Sequence, residues 1–94
     1  VRNLVWSAGF VRKFKRLIKK NPQMRSQVEK VLHLLSEDPF DSSLRTHKLK
    51  GDLDGVWSCS VDYDNRILFE FVNNSESGEE DILLLALGSH DDVY

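Results

Sequence analysis

Two apolar stripes at helical period come first along the chain, and runs that alternate with period two come after. That order predicts helices followed by a sheet. Asn3 to Trp6 reads as a short first strand. Ser7 suits a helix N-cap, because its hydroxyl can accept from a backbone N–H of the first turn. Phe10, Phe14, Leu17 and Ile18 then recur at the spacing of one helix face. Arg12, Lys13, Lys15, Arg16, Lys19 and Lys20 occupy the rest of the circumference. Asn21 and Pro22 break this helix, and Pro22 suits the first turn of the next. Met24, Val28, Val31, Leu32 and Leu35 repeat the stripe over a second helix from about Pro22 to about Ser36. Pro39 stops it, since the residue before a proline disfavours helix. The pair predicts a helical hairpin with both stripes packed on one sheet.

Residues 40–46 read as a polar connection, and His47 to Lys50 as a short edge strand. Gly51 to Gly55 is a turn cluster. From Val56 to Asp62 the chain alternates, with Trp57, Cys59 and Val61 on one face. It alternates again from Arg66 to Val72, with Ile67, Phe69 and Phe71 on one face. Both apolar sets must meet the core, which limits the pairing to registers of one parity. The register expected sets Asp62 opposite Arg66 across a loop of Tyr63, Asp64 and Asn65, with Asn65 left-handed. Trp57 then opposes Phe71, and Cys59 opposes Phe69. Ser58, Ser60, Arg66 and Glu70 fall on the other face. Asn73 to Asp81 is a polar loop. Ile82 to Leu87 is apolar without alternation, which predicts a central strand covered on both sides. Gly88 to Tyr94 is a tail. The fold class expected is α+β: an N-terminal strand and a two-helix hairpin packed on a small antiparallel sheet, in one domain spanning residues 1–94.

Composition sharpens this picture in three places. At 94 residues, with hydrophobic residues at 40% and charged residues at 30%, the chain suits one globular core rather than two, and it is not disordered. No apolar run approaches the ~20 residues of a membrane span, and no signal peptide opens the chain. A cytoplasmic protein with no membrane partner is the expectation. The single cysteine, Cys59, excludes an internal disulfide and any multi-cysteine zinc site. The net charge of −2 hides a division: residues 1–50 carry 12 Lys/Arg against 4 Asp/Glu, and residues 51–94 carry 1 against 11. Such asymmetry suggests a basic surface for a polyanion or an acidic partner.

Candidate chemistry is sparse. His33 lies inside the second helix and reads as a structural or exposed histidine. His47 sits among Arg45, Lys48 and Lys50. His90 follows a strand end beside Ser89, Asp91 and Asp92, where acids can orient an imidazole and raise its pKa; the alternative is a solvated tail histidine. Arg66 admits two readings, a cross-strand ion pair with Asp62 or a phosphate clamp on an open sheet face. No spacing resembles a metal site, no glycine-rich phosphate loop is present, and no cofactor is expected. Cys59 faces the core and reads as packing.

The run from His47 to Gly51, then Trp57 to Val61, then Tyr63 to Glu70, closing with Gly88, Ser89, His90, Asp91, Asp92, Val93 and Tyr94, resembles the RelE/ParE superfamily of bacterial toxins. It is most similar to YafQ-type or RelE/StbE-type mRNA interferases. The order of elements matches as well. The resemblance implies a toxin of a type II toxin–antitoxin system, an endoribonuclease that cuts mRNA on the ribosome by metal-free acid–base catalysis. It also implies a cognate antitoxin. By the same resemblance His47, Asp64, Arg66, His90 and Tyr94 are the catalytic residues, and Lys48, Lys50, Ser58, Ser60, Arg12, Lys13 and Lys19 contact RNA. Ser58 and Ser60 stand where relatives often carry basic groups. Two alternatives remain open: a ParE-like gyrase-inhibiting toxin, and a catalytically degenerate toxin acting as a regulatory binding partner.

Overall fold

The computed structural model describes residues 2–51 and 55–89. β1 (Leu4–Trp6) leads into α1 (Ala8–Lys20) and α2 (Met24–Glu37), and a single 3-10 turn at Ser42–Leu44 precedes β2 (His47–Lys48). β3 (Trp57–Ser60), β4 (Asn65–Asn73) and β5 (Glu80–Ser89) follow. The five strands form one sheet in the order β1-β5-β4-β3-β2.

The first helix begins where its cap requires. The Ser7 hydroxyl accepts from the N–H of Phe10 at 3.1 Å, which satisfies one of the free donors of the first turn. The second helix starts at Met24, two residues later than expected. Pro22 lies in the turn before it, where its carbonyl accepts from the N–H of Arg25. Phe10, Phe14, Met24, Val28, Val31, Leu32 and Leu35 are all buried in one cluster with Cys59, Val61, Ile67, Phe69, Ile82, Leu84 and Leu87. Both helical stripes therefore cover one face of the sheet. The connection at 40–46 is not wholly polar in role, since Leu44 is buried in the same cluster.

The α+β class stands, with one addition: β1 pairs with β5 in parallel, and every other pair is antiparallel. The sheet is mixed because the chain must cross over through both helices between its first strand and its last.

Three strand expectations are corrected. Arg66 lies opposite Ser60, not Asp62, and Trp57 opposes Phe69 while Cys59 opposes Ile67. The parity holds, so each side chain keeps its face, but the pairing moves by one pleat. The turn is accordingly longer. Val61 and Asp62 both donate their N–H to the carbonyl of Asn65, at 2.9 and 3.4 Å. Asn65 opens β4 and is not left-handed; among the described non-glycine residues only Arg45 has a positive φ, at 52°. Finally, β5 is not covered on both sides. Ile82, Leu84 and Leu87 are buried while Leu83, Leu85 and Ala86 are half-buried. An irregularity where Leu68 pairs with Ala86 but Phe69 pairs with Leu84 leaves Leu85 as an extra residue. This bulge shifts the phase of alternation, and it accounts for a strand that reads as continuously apolar.

Candidate RNA-cleavage site

The sheet face turned away from the helices carries the candidate groups. Directly opposed residues of an antiparallel pair project to the same side. His47 opposes Ser58, and Ser60 opposes Arg66, which in turn opposes Gly88 on β5. His47, Ser58, Ser60 and Arg66 therefore share one face. His47 and Arg66 stand two strands apart and one pleat repeat along, which puts their Cα atoms about 12 Å apart. Arg66 is flanked by the small residues Ser60 and Gly88 on its two neighbouring strands, so its long side chain rises above a low floor.

The guanidinium is held at its base. Its Nη1 donates to the carbonyls of Asp62 at 2.8 Å, Tyr63 at 3.2 Å and Asn65 at 3.2 Å. Among the described residues these bonds all come from Nη1. Of the two readings of Arg66, the cross-strand ion pair with Asp62 is not formed. The Asp62 carboxylate is used within the turn, accepting from the N–H of Asp64 at 2.9 Å, the N–H of Asn65 at 2.8 Å and the Asn65 amide at 3.1 Å. Asp64 is exposed at the tip of this turn. The carboxylate that organises the turn is thus that of Asp62, which the sequence pattern offers instead as a cross-strand partner of Arg66.

His47 is exposed on the edge strand. Its Nδ1 lies 3.1 Å from the carbonyl oxygen of Arg45. A carbonyl can only accept, so Nδ1 carries the proton, and in the neutral ring Nε2 holds an open lone pair. Arg45 delivers that carbonyl from a left-handed conformation at the end of the 3-10 turn. The turn is capped by Asp41, whose carboxylate accepts from the Ser43 hydroxyl at 2.7 Å and from the Ser43 N–H at 2.9 Å. These bonds hold the Asp41 carboxyl below its ordinary pKa, the hydroxyl contributing most.

Arg66, Arg45, Ser43, Ser60, Val61, Asp62 and Tyr63 line a groove of about 320 Å³. A second recess of about 310 Å³ lies on the other side of the same sheet end, where Lys13, Arg16, Leu17 and Lys20 of α1 face Asn65, Leu87, Gly88 and Ser89.

The expected residues divide accordingly. Ser60 and Arg66 line one groove, and His47 lies two strands from Arg66 on the same sheet face. Asp64 stands at the exposed turn tip outside the groove lining, and Lys48 and Lys50 are exposed beside His47. Ser58 has no exposure; it lies opposite Leu68 of β4. The three basic helix positions do not form one row. Lys13 borders the recess near Asn65, while Lys19 borders a separate one with Lys15, Ile18, Pro22 and Arg25. The Arg12 guanidinium lies against Gly9 at the start of the helix. His90 and Tyr94 lie outside the described residues. Arg45 and Tyr63 line the groove with Arg66, and Arg16 and Lys20 line the recess across the sheet, without having been selected from sequence. No Gly or Asn marks the left-handed turn at Arg45, and single positions of a basic helix are not distinguishable by pattern.

Two helices on one face of a mixed five-stranded sheet, with a guanidinium and an imidazole on the other, define a compact toxin fold. The described bacterial family of YafQ toxins, from type II toxin–antitoxin systems, matches residues 2–94. The chain belongs to this family. No curated protein sequence is significantly similar to it. Among solved structures, YafQ from E. coli strain BL21(DE3) superposes with a TM-score of 0.79 at 16% identity, covering 100% of this chain and 99% of that one. A YoeB/ParE toxin from Agrobacterium tumefaciens gives 0.77 at 17% identity, covering 94% and 98%. The toxin of the E. coli DinJ-YafQ complex gives 0.78 at 16%, covering 100% and 99%. At such identities the likeness shows the shared fold.

Proposed function

We propose that this toxin is a ribosome-dependent endoribonuclease that cleaves mRNA through the RNA's own 2′-hydroxyl. The observation that carries the reading is the placement of His47 and Arg66 on the sheet face turned away from the helices, each held by backbone carbonyls. The 2′-oxygen attacks phosphorus and loses its proton; the bond from phosphorus to the 5′-oxygen breaks, and that oxygen takes a proton. The products are a 2′,3′-cyclic phosphate and a free 5′-hydroxyl. His47, acting through Nε2, and His90 share the two proton transfers, each worth about 10²–10⁴-fold. Arg66 stabilises the charge that gathers on the non-bridging oxygens, through the nitrogens not used to hold the turn. Asp64 and Tyr94 complete the set, the first orienting a histidine and the second contacting a base.

Lys48, Lys50 and the α1 residues Lys13, Arg16 and Lys20 attract the RNA backbone, so activity falls with added salt. The protein acts in the cytoplasm and is silenced by a cognate antitoxin, a partner supported by the E. coli relative solved with DinJ. Primer extension on ribosome-bound transcripts from cells expressing the wild type, the His90→Ala variant or the His47→Ala variant tests the reading. Discrete cuts with the wild type, lost in both variants, support it. DNA damage with intact transcripts points instead to a gyrase poison, and unimpaired growth to a degenerate toxin.

A further inference from the structure

Among the described residues every aromatic ring but one packs against another ring. Trp6 meets Phe10 and Phe14, Phe40 meets Trp57 and Phe71, and Phe69 meets Phe71. Tyr63 has no such neighbour and is 93% exposed. A ring left in water contributes nothing to the core, so its presence at this position is not explained by folding.

Its support is nonetheless rigid. The Tyr63 carbonyl accepts from Arg66 Nη1 at 3.2 Å, and the next two backbone N–H groups are fixed by the Asp62 carboxylate. A ring presented on an ordered turn loses little conformational freedom when it binds. Tyr63 also borders the groove that contains Arg45, Ser60 and Arg66. Its sequence neighbours, Asp62 and Asp64, repel phosphate. The tip of the turn therefore disfavours the RNA backbone and suits an uncharged base, while the arginines one step away suit the phosphate.

We propose that Tyr63 is an RNA-binding residue that stacks on a nucleobase next to the phosphate held by Arg66, which positions the scissile linkage. This rests on the endoribonuclease reading above. Alanine substitution at a stacking aromatic typically weakens single-strand binding about 5- to 150-fold.

The test compares Tyr63→Ala, Tyr63→Leu and Tyr63→Phe in single-turnover cleavage of ribosome-bound mRNA, with thermal melts and antitoxin binding measured on the same preparations. The expected result is a loss of cleavage efficiency in that range for the alanine and leucine variants. Tyr63→Phe should stay near wild type, since it keeps the π face, and all three should melt with the wild type. A 2-aminopurine placed beside the cleavage position in a 2′-deoxy analogue should be quenched by the wild type and Tyr63→Phe, and not by Tyr63→Ala. Equal cleavage by the wild type and Tyr63→Ala overturns the stacking role alone. A phenylalanine variant as slow as the alanine variant overturns it in favour of the hydroxyl. Weakened antitoxin binding with intact cleavage overturns it in favour of a protein contact. A wild type that cuts no transcript overturns the functional reading, and this role with it.

Discussion

Arg66 Nη1 lies 2.8 Å from the backbone carbonyl oxygen of Asp62 and makes no ion pair with that residue's carboxylate. One side chain thus serves both the turn and the groove. Arg66→Ala should lose the three bonds to turn carbonyls and cost about 1–3 kcal/mol. It should also slow cleavage by about 10²–10³-fold. Denaturant midpoints and primer extension measure the two effects separately. Arg66→Lys keeps the charge but not the fork of donors, so it should recover stability only in part. Full cleavage by a destabilised Arg66→Ala would leave Arg66 a turn residue alone.

His47 is exposed, and among the described residues its ring contacts the carbonyl of Arg45. His47→Ala should change stability by no more than about 0.5 kcal/mol, while slowing cleavage by about 10²–10⁴-fold. A melt superimposable on the wild type, together with the loss of cut products, is the expected pair of observations.

Cys59 has no exposure, and burial pushes its thiol up to about 12, against smaller opposing effects of the Ile67 backbone and the Arg66 charge. The folded protein should resist iodoacetamide at pH 8 and react only after denaturation. The sign of the pH dependence follows. In the unfolded chain the thiol ionises near its ordinary 9.0, and in the fold only near 12. The stability tied to the neutral thiol is therefore complete below about pH 9 and is lost as pH rises from there through about 12. Urea midpoints of the wild type and Cys59→Ala should diverge less with pH below that window than within it.

Ser7→Ala removes the acceptor for the Phe10 N–H. The cost should be about 1 kcal/mol, a fall in melting temperature of about 4–8 °C for a domain of this size. Ser7→Asp should retain most of the stability, because a carboxylate can accept the same bond.

The helical layer was legible because Phe10, Phe14, Val28 and Leu35 repeat at one period, and Ser7 supplies a cap with a mechanism. The sheet was legible in faces and not in offsets. Alternation places Cys59 and Ile67 on the core side, but any register of the right parity does so equally, and the choice between Asp62 and Ser60 as the partner of Arg66 depends on turn hydrogen bonds. The turn itself was misread because Asn65 suggests a left-handed residue, whereas the Asp62 carboxylate stabilises a longer connection without one. The bulge at Leu85 hid the alternation of β5. Of the candidate site, His47 and Arg66 were singled out through the family resemblance, and alternation gave the face of Arg66 but not that of His47. Arg45 and Tyr63 carry no local signal; one depends on a backbone conformation and the other on how little surrounds it.

The position of β5 between β1 and β4 has a consequence for synthesis. Of the described strands β5 comes last in the chain, yet it supplies the neighbour of β1 and packs in the core with Phe10. A nascent chain that stops short of it can form local helix but no closed core.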